Sequence, residues 1–587
     1  MSKITFIGGD KIETIGGSSN VFVKDAYEIS SNKQIIHTGK ENGISFNKPK
    51  SPPKIEGKIY DVVMFVAGTT DPINTKGEKY QANTYYWSGI DEKTKKETAE
   101  SVNNFWHKIK ELKPKYLNLH IEGEFFSWSG DNDTKERNLA SERLLDLLLR
   151  VYRFWRNQEV HLHLVGHSHG GNVINQFTEL ITSKEMISKS KILKANKFTK
   201  FPDLWKVKSI TYLSTPFFQK KHQLNHGKLH PACKIINVHN GYDLTQQLIA
   251  NFSLVNLEGL IKSFQIEKFN KGINTVKTVK SDVISTYLTA FNNPFNNDFE
   301  KKAVAAWKEM STAFLGINLI TQELILYVNS IKIVSSNLQK EKKSFIRLLN
   351  SFLAWSYNVH NNYSGTKKKH DKITWVNNLN LTEGLAVLNI LFDIKSSPKD
   401  SYLLTLLAGL FGEKKGIVDS IDQTLWSPKK QTKGLTVIDV PITDKDPYHL
   451  RGKKSNFDAF LKGAQNAVGN NNLEDLLMRL FSQFIEPKQL DNITKYIDYA
   501  EYVITGDLDK QLKILNKNFK IYKSFVTLYH ANLVLEKDEN IKELDKKPGS
   551  IPYLAMVSHS LSHTQFWKEV EDGLRNSFSS GKNPHYK

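Results

Sequence analysis

Hydrophobic and polar positions along the 587-residue chain form three regions with different periodicity. In residues 1–56, short apolar runs alternate with glycine-rich turns, and the region ends in Lys-Pro-Lys-Ser-Pro-Pro-Lys at positions 48–54. Apolar runs between turn signals are typical of short strands, and a Pro/Lys stretch is typical of a linker. The first region is therefore predicted to be a small β-rich leader joined by a linker.

The second region, residues 57–250, alternates apolar runs of strand length with helical patterns. Strands and helices that alternate with short links favour parallel pairing, with helices covering the faces of the sheet. The sequence thus predicts an α/β fold with a mostly parallel sheet. Strands are predicted over residues 59–66, 116–121, 160–165, 207–213 and 234–238, and helices over 138–155 and 170–182.

The third region, residues 251–548, is mostly helical in pattern, with one isolated strand-like segment at 435–440. Residues 549–587 are predicted to return to the α/β core through a strand at 551–557 and a closing helix at 565–578. The long helical block is too large to be a loop. We expect it to be an insertion that forms a cap on the α/β core.

The charge and cysteine content narrow the classes of function. A net charge of +20 favours polyanionic partners such as an anionic membrane or an acidic protein. The basic residues are spread along the chain without zinc-knuckle or RNA-binding patterns, so nucleic acid is not an expected partner. The single cysteine, Cys233, excludes a disulfide within the chain.

The apolar runs also bear on localisation. Residues 1–10 lack a basic start followed by an apolar run, so we expect synthesis in the cytoplasm without a signal peptide. No uninterrupted apolar run reaches 18 residues. The best candidate, residues 402–411, has the length of a buried helix. The sequence therefore predicts no membrane-spanning segment.

The sharpest chemical signal is the segment Gly-His-Ser-His-Gly-Gly at 166–171, between a predicted strand and a predicted helix. A serine on a tight strand-to-helix turn adopts a strained backbone, and glycines two positions away on each side remove clashing side chains. Its hydroxyl then lies at a helix N-terminus, which favours a developing oxyanion. This pattern predicts that Ser168 is a nucleophile.

The 166–171 segment resembles the nucleophile elbow of α/β-hydrolase lipases. Residues 125–130 (Phe-Phe-Ser-Trp-Ser-Gly), residues 211–217 (Thr-Tyr-Leu-Ser-Thr-Pro-Phe) and the segment that begins at His559 are similar to further lipase segments. The resemblance covers residues 60–250 and 550–585. It implies an α/β-hydrolase core and a serine ester hydrolase that needs no cofactor and no metal. An Asp-Asn-Asp triplet at 131–133 could bind calcium, but a solvated loop is the preferred interpretation.

In this fold, one oxyanion donor comes from the loop after the first strand and the other from the residue after the nucleophile. Residues 66–70, Val-Ala-Gly-Thr-Thr, follow the first predicted strand. We therefore expect the oxyanion hole to consist of the N–H of His169 and the N–H of Gly68 or Thr69.

The acid and the base should follow the serine in that order. Asp243 lies just past the strand predicted at 234–238 and is the preferred acid. His559 follows the last predicted strand and is the preferred base, with His563 as the alternative. Two weaker candidates for the acid are Asp439 and Asp444, while His167 and His169 are too close to the serine to be the base and are expected to line the site.

A long lipase with a basic surface and a glycine-rich leader also resembles antibacterial lipase effectors of type VI secretion systems. That resemblance implies phospholipid substrates at a membrane surface and delivery into the periplasm of a target cell. It also implies an immunity protein and a secretion-apparatus component as partners. Two alternatives stay open: an intracellular carboxylesterase or acyltransferase on small esters, and a non-catalytic, secretion-associated binding protein.

Overall fold

The computed structural model describes most of the chain. The predicted leader at 1–56, Thr69 and the acidic triplet at 131–133 lie outside the described residues. The described residues are 58–68, 105–122, 126–130, 134–218, 221–247, 267–290, 299–330, 336–364, 380–411, 424–425, 428–429, 431–449, 454–470, 472–482, 485, 487–532 and 547–586.

The main sheet has six strands, all parallel, in the order β2-β1-β3-β4-β6-β8. The predicted α/β class is therefore confirmed. A separate antiparallel pair joins β5 to β7. The strands are β1 (Ile59–Val66), β2 (Leu119–Ile121), β3 (Glu159–His167), β4 (Trp205–Leu213), β5 (Phe217–Phe218), β6 (Leu229–His239), β7 (Thr424–Leu425) and β8 (Thr436–Pro441).

The helices fall into two groups along the chain. Those that accompany the sheet before the helical region are α1 (Phe105–Lys110), α2 (Thr134–Val151), α3 (Gly170–Thr182), α4 (Lys184–Lys189), α5 (Lys191–Ala195) and α6 (Leu244–Gln247). The large helical region contains α7 (Glu267–Lys277), α8 (Ser281–Ala290), α9 (Phe299–Ser330), α10 (Ser336–Ser364), α11 (Leu381–Leu391), α12 (Tyr402–Phe411), α13 (Lys454–Gly469), α14 (Leu473–Phe481), α15 (Pro487–Val503) and α16 (Asp507–His530). The chain then forms α17 (Ile551–Ser560) and α18 (Lys568–Arg575).

The two faces of the sheet bury separate apolar clusters. Successive residues of a strand point to opposite faces, so Val62 and Met64 of β1 pack with α2 and α3 on one face. Val63 and Phe65 pack with α1 and α18 on the other. Both faces of β1 are thereby covered, which explains its uninterrupted apolar sequence.

Strand β8 was predicted as an isolated strand within the helical insertion. It instead forms the edge of the main sheet, paired in parallel with β6. The pairing brings together Asn237 and Asp439, which are 202 residues apart, through a side-chain hydrogen bond of 3.2 Å. Local spacing identified the strand, but its membership of the sheet depends on a partner that is distant in sequence.

The strand predicted at 551–557 is wrong, because these residues form helix α17. The Ser550 side chain caps the helix by accepting a hydrogen bond from the backbone N–H of Tyr553 at 3.2 Å, and Pro552 occupies the first turn. Both are helix-start signals. A short apolar run by itself does not distinguish a buried strand from a buried helix.

One described helix bears on the expectation of no membrane-spanning segment. In the described part of the chain, Lys302–Ser330 of α9 is long and apolar enough to cross a membrane by length and composition. Counting uninterrupted apolar residues missed it, because Asn318 and the Thr321–Glu323 segment interrupt the run. Residues 402–411 form α12, as predicted, with Leu404, Leu406 and Leu407 buried.

A buried polar cluster ties the C-terminal segment to the sheet. His163 Nε2 lies 2.9 Å from Asp61 Oδ1, and His163 Nδ1 lies 2.7 Å from Ser209 Oγ. Asp61 Oδ2 accepts hydrogen bonds from the backbone N–H groups of Ser579 at 2.9 Å and Ser580 at 2.6 Å. Asp61, His163 and Ser209 are each 0% exposed. This Ser–His–Asp arrangement is closed to solvent and therefore structural.

Replacing Asp61 with Asn should lower the free energy of unfolding by about 3–5 kcal/mol, because one partner of a buried pair is lost. Burial raises the pKa of Asp61, but the charge and hydrogen bond of His163 and the Ser580 N–H outweigh it and hold the pKa below its usual range. The stabilisation is therefore complete at neutral pH and is lost as the pH falls below about 4. Urea unfolding measured against pH tests both statements.

The matched control is Asp444→Asn, which removes an exposed carboxylate paired with Lys445 at 2.9 Å. We expect it to leave the unfolding midpoint unchanged. An Asp61→Asn protein as stable as the parent at neutral pH would contradict a structural role for this cluster.

Candidate active site

Ser168 occupies a strained turn between β3 and α3. Its φ is +50°, in the left-handed region that non-glycine residues rarely adopt. The turn is anchored on both sides: the Ser168 N–H donates to the Leu213 carbonyl at 2.8 Å, and the Gly171 N–H donates to the Ser168 carbonyl at 3.1 Å. The strained serine at the end of a central strand is the local geometry that the sequence predicted.

The glycines around Ser168 allow three segments to meet. A Cβ atom on Gly166 would lie 2.6 Å from the backbone nitrogen of Gly171, and one on Gly170 would lie 2.4 Å from the carbonyl oxygen of Val66. A Cβ on Gly171 would lie 2.2 Å from the Thr215 hydroxyl oxygen. Helix α3 therefore starts in direct contact with the ends of β1 and β3 because these positions lack side chains.

Replacing Gly170 with Ala should destabilise the protein by at least about 2 kcal/mol and reduce any Ser168-dependent activity, since the new methyl group meets rigid backbone. Thermal unfolding and turnover of a soluble ester measure the two effects. Gly409→Ala is the control, because a Cβ there makes only an ordinary contact at 3.4 Å with Leu338. We expect the control to be neutral or slightly stabilising, since alanine favours helix. A Gly170→Ala protein of unchanged stability would contradict the close packing.

Asp243 lies in the turn after β6 and is 0% exposed. One of its carboxylate oxygens accepts a hydrogen bond from the backbone N–H of Gln246 at 2.8 Å. The Gln246 side chain in turn donates to the Thr215 carbonyl at 2.8 Å, next to the elbow. The carboxylate is thereby oriented by the start of α6.

His559 and Asp243 form a close pair, although they are 316 residues apart in sequence. His559 Nδ1 lies 2.8 Å from Asp243 Oδ2 and 3.0 Å from Oδ1. Helix α17, which carries His559, is hydrogen-bonded to the segment that follows β6. The Thr245 hydroxyl, in α6, donates to the Ala555 carbonyl at 2.6 Å, and the Asn240 side-chain amide donates to the Ser558 carbonyl at 3.0 Å. The contact between α17 and the segment after β6 thus holds both Asp243 and His559 in place.

The His559 ring also reaches the elbow. It lies 4.8 Å, centroid to centroid, from the ring of His167, the residue before Ser168. His167 also contacts His563, edge to face, at 4.7 Å. Burial, together with the charge of His559, lowers the pKa of His563 to about 3. His563 is therefore neutral near pH 7. Its ring packs against His167, whereas His559 is the histidine that pairs with Asp243.

His169 is the N-cap residue of α3, and its side chain packs against the two-stranded sheet of β5 and β7. Its ring stacks on Phe218 at 5.7 Å, and its Nδ1 lies 3.0 Å from the side-chain amide nitrogen of Asn172. Gly68 lies two residues after the end of β1, and Gly170 touches the end of that strand. The two backbone segments predicted to hold an oxyanion therefore meet at the elbow, while Thr69 lies outside the described residues.

The rival carboxylates have other partners. Asp439, on β8, lies 3.1 Å from His239 Nε2, and Asp444 pairs with the neighbouring Lys445. Of these carboxylates, Asp243 is the one that lies within hydrogen-bond distance of His559 Nδ1. The structure thus brings the preferred acid and the preferred base together.

Sequence reasoning missed Asn240 and Gln246, which orient α17 and Asp243. Asn240 precedes a glycine after a strand, so it signalled only a turn. Both are 0% exposed polar side chains, a property that only the fold reveals. Among the described residues, no group of three or more His, Cys, Asp or Glu side chains could hold a metal ion.

Comparison with known proteins identifies no relative. No protein-family model matches the chain, and no curated protein and no solved structure matches it. The architecture itself is an α/β fold with a six-stranded, all-parallel sheet and a large helical region.

Proposed function

We propose that the protein is a serine ester hydrolase with an α/β-hydrolase core, in which Ser168, His559 and Asp243 form the catalytic triad. The observation that carries the proposal is the hydrogen bond between His559 Nδ1 and Asp243 Oδ2, at 2.8 Å, beside a serine with φ of +50°. An acid–base pair next to a strained serine on a strand-to-helix turn is the arrangement that activates a serine nucleophile.

The chemistry follows from the order of the contacts. Asp243 accepts a hydrogen bond from the Nδ1–H of His559, which leaves Nε2 with a lone pair to accept the Ser168 proton. Ser168 Oγ then bonds to the ester carbonyl carbon, and the N–H groups of His169 and of the Gly68–Thr69 loop stabilise the oxyanion. The imidazolium returns its proton to the leaving alcohol, and water, activated by the same base, hydrolyses the acyl-enzyme.

Membrane phospholipids are the proposed substrates, which makes the enzyme a lipase of the phospholipase A type. The net charge of +20 favours approach to an anionic lipid surface, and the resemblance to lipase effectors of type VI secretion supports the same substrate class. As an antibacterial effector, the protein would reach the target periplasm by a signal-independent route and would be neutralised by an immunity protein.

The experiment that tests the proposal is fatty acid release from vesicles of phosphatidylethanolamine and phosphatidylglycerol, with the Ser168→Ala protein as the blank. Serine-dependent release is the expected result. Cleavage of a short p-nitrophenyl ester without release from vesicles would keep the serine hydrolase but favour a carboxylesterase or acyltransferase. Absence of both activities would favour the non-catalytic binding protein and contradict the proposal.

A further inference from the structure

Helix α9 exposes apolar residues on its outer side and buries others on its inner side. Phe314, Ile325 and Val328 are buried, whereas Leu315 is 39% and Leu326 57% exposed. A helix that is apolar all round normally lies inside a core or a membrane. Only 39% of the most apolar 18-residue stretch of α9 is buried, so this helix presents apolar surface that the described structure leaves uncovered.

Four of the polar side chains described in α9 are buried, and two of these, Ser311 and Asn318, contact α10. The Asn318 amide donates to the Leu353 carbonyl and to the Ser356 hydroxyl, both at 3.1 Å, and Asn318 is 5% exposed. The Ser311 hydroxyl lies 3.0 Å from His360 Nδ1. Hydrogen bonds between helices through asparagine and serine side chains are common among helices in lipid.

The outward leucines form a stripe. Leu315, Leu319 and Leu326 are spaced four and seven residues apart, which places them on one face of α9. The hydrogen bonds of Ser311 and Asn318 show that α10 runs antiparallel to α9, so Tyr357, which is 55% exposed, lies at the level of Leu315. Tyrosine with exposed leucine is characteristic of the membrane–water boundary.

The end of the hairpin is basic. Lys342 Nζ donates to the Asn329 carbonyl at 2.9 Å, so the start of α10 lies beside the end of α9. Residues 336–347 contain four basic residues and one acidic residue. Lys340, Lys343 and Arg347 are exposed, and their spacing places them on one face. Such a cluster complements anionic lipid headgroups.

We propose that the α9–α10 hairpin docks along the surface of an anionic phospholipid bilayer. Leu315, Leu319, Leu326 and Tyr357 enter the boundary between headgroups and acyl chains, and the basic end contacts headgroup phosphates. The inference deepens the proposed function and rests on it for its purpose, since docking brings a lipid esterase to its substrate. The binding itself does not require catalysis.

The test is flotation of the full-length Ser168→Ala protein with vesicles of phosphatidylethanolamine and phosphatidylglycerol, and with neutral phosphatidylcholine vesicles. We expect binding to the anionic vesicles. Leu315→Glu with Leu326→Glu should weaken it at least about tenfold. Lys340→Glu, Lys343→Glu and Arg347→Glu together should weaken it about a hundredfold.

The control variant is Ile514→Glu with Leu528→Glu, which are 53% and 59% exposed on α16 and should bind like the parent. Thermal unfolding checks that all variants are folded. Absence of vesicle binding by the Ser168→Ala protein, or an equal loss of binding in the control variant, would overturn the proposal. So would a leucine variant that binds vesicles normally but turns an oligomer into a monomer, because a second copy would then cover the stripe. Hairpin-dependent binding, combined with the absence of both fatty acid release and short-ester cleavage by the protein with Ser168 intact, would refute the esterase and leave the docking surface intact.

Discussion

Ser168→Ala should lower turnover of a soluble ester by at least about 10⁴-fold while leaving the thermal unfolding transition in place. The reason is that the substitution removes the atom that bonds to the acyl group, and no other described residue occupies the strained turn at the N-terminus of α3. A fluorophosphonate probe, which reacts with activated serines, should label the parent protein and not the variant.

The matched control is Ser214→Ala. Ser214 is also buried, also has φ of +50°, and lies at the end of β4, next in the sheet to the elbow strand. Its backbone N–H donates to the Val238 carbonyl at 2.9 Å, a bond that alanine preserves. We expect nearly parental activity and normal labelling. Retained activity in Ser168→Ala would refute the nucleophile, and equal losses in both variants would indicate a general disturbance of the sheet edge.

Asp243→Asn should reduce turnover about 10⁴-fold. The carboxylate accepts a hydrogen bond from the Nδ1–H of His559, whereas the amide of asparagine can donate to Nδ1 and so stabilise the tautomer that carries its proton on Nε2. That tautomer cannot accept the Ser168 proton. Steady-state kinetics with the short ester measures the loss, and the fluorophosphonate labelling rate should fall in parallel.

Asp439→Asn provides the comparison, since Asp439 also pairs with a histidine, His239, at 3.1 Å, but is 56% exposed at the sheet edge. We expect it to change turnover less than about threefold. Parental activity in Asp243→Asn would exclude this residue as the acid. Activity that survives His559→Gln but not His563→Gln would transfer the role of the base to His563, against its burial and low pKa.

The elbow could be read from the sequence because its constraints are local. A turn from a strand directly into a helix needs glycine where backbones touch, and Gly166, Gly170 and Gly171 are within five residues of one another. The position of Asp243 could also be predicted from the sequence, because it depends only on where a buried strand ends. The alternation of strands and helices likewise predicted the parallel sheet.

The sequence predicted that the large region is helical, but it did not predict which of its apolar residues lie on the surface. The outward leucines of α9 share the apolar pattern of its buried residues, and only solvent exposure separates Leu315 and Leu326 from Phe314 and Ile325. Exposure depends on which neighbouring helices pack on each side, and periodicity carries no information about that. Asn318 and the Thr321–Glu323 segment interrupt the apolar run, so the length of the apolar segment was not evident from the sequence.

The sequence by itself therefore determined the α/β class, the strained serine turn and the strand end that carries Asp243, since each depends on residues close together in the chain. Only the tertiary structure decided that β8 joins the main sheet and that His559 rather than His563 meets Asp243. These outcomes depend on contacts across 200 residues or more. The free energy of such contacts comes from burial and hydrogen bonding between distant segments, which local sequence preferences do not encode.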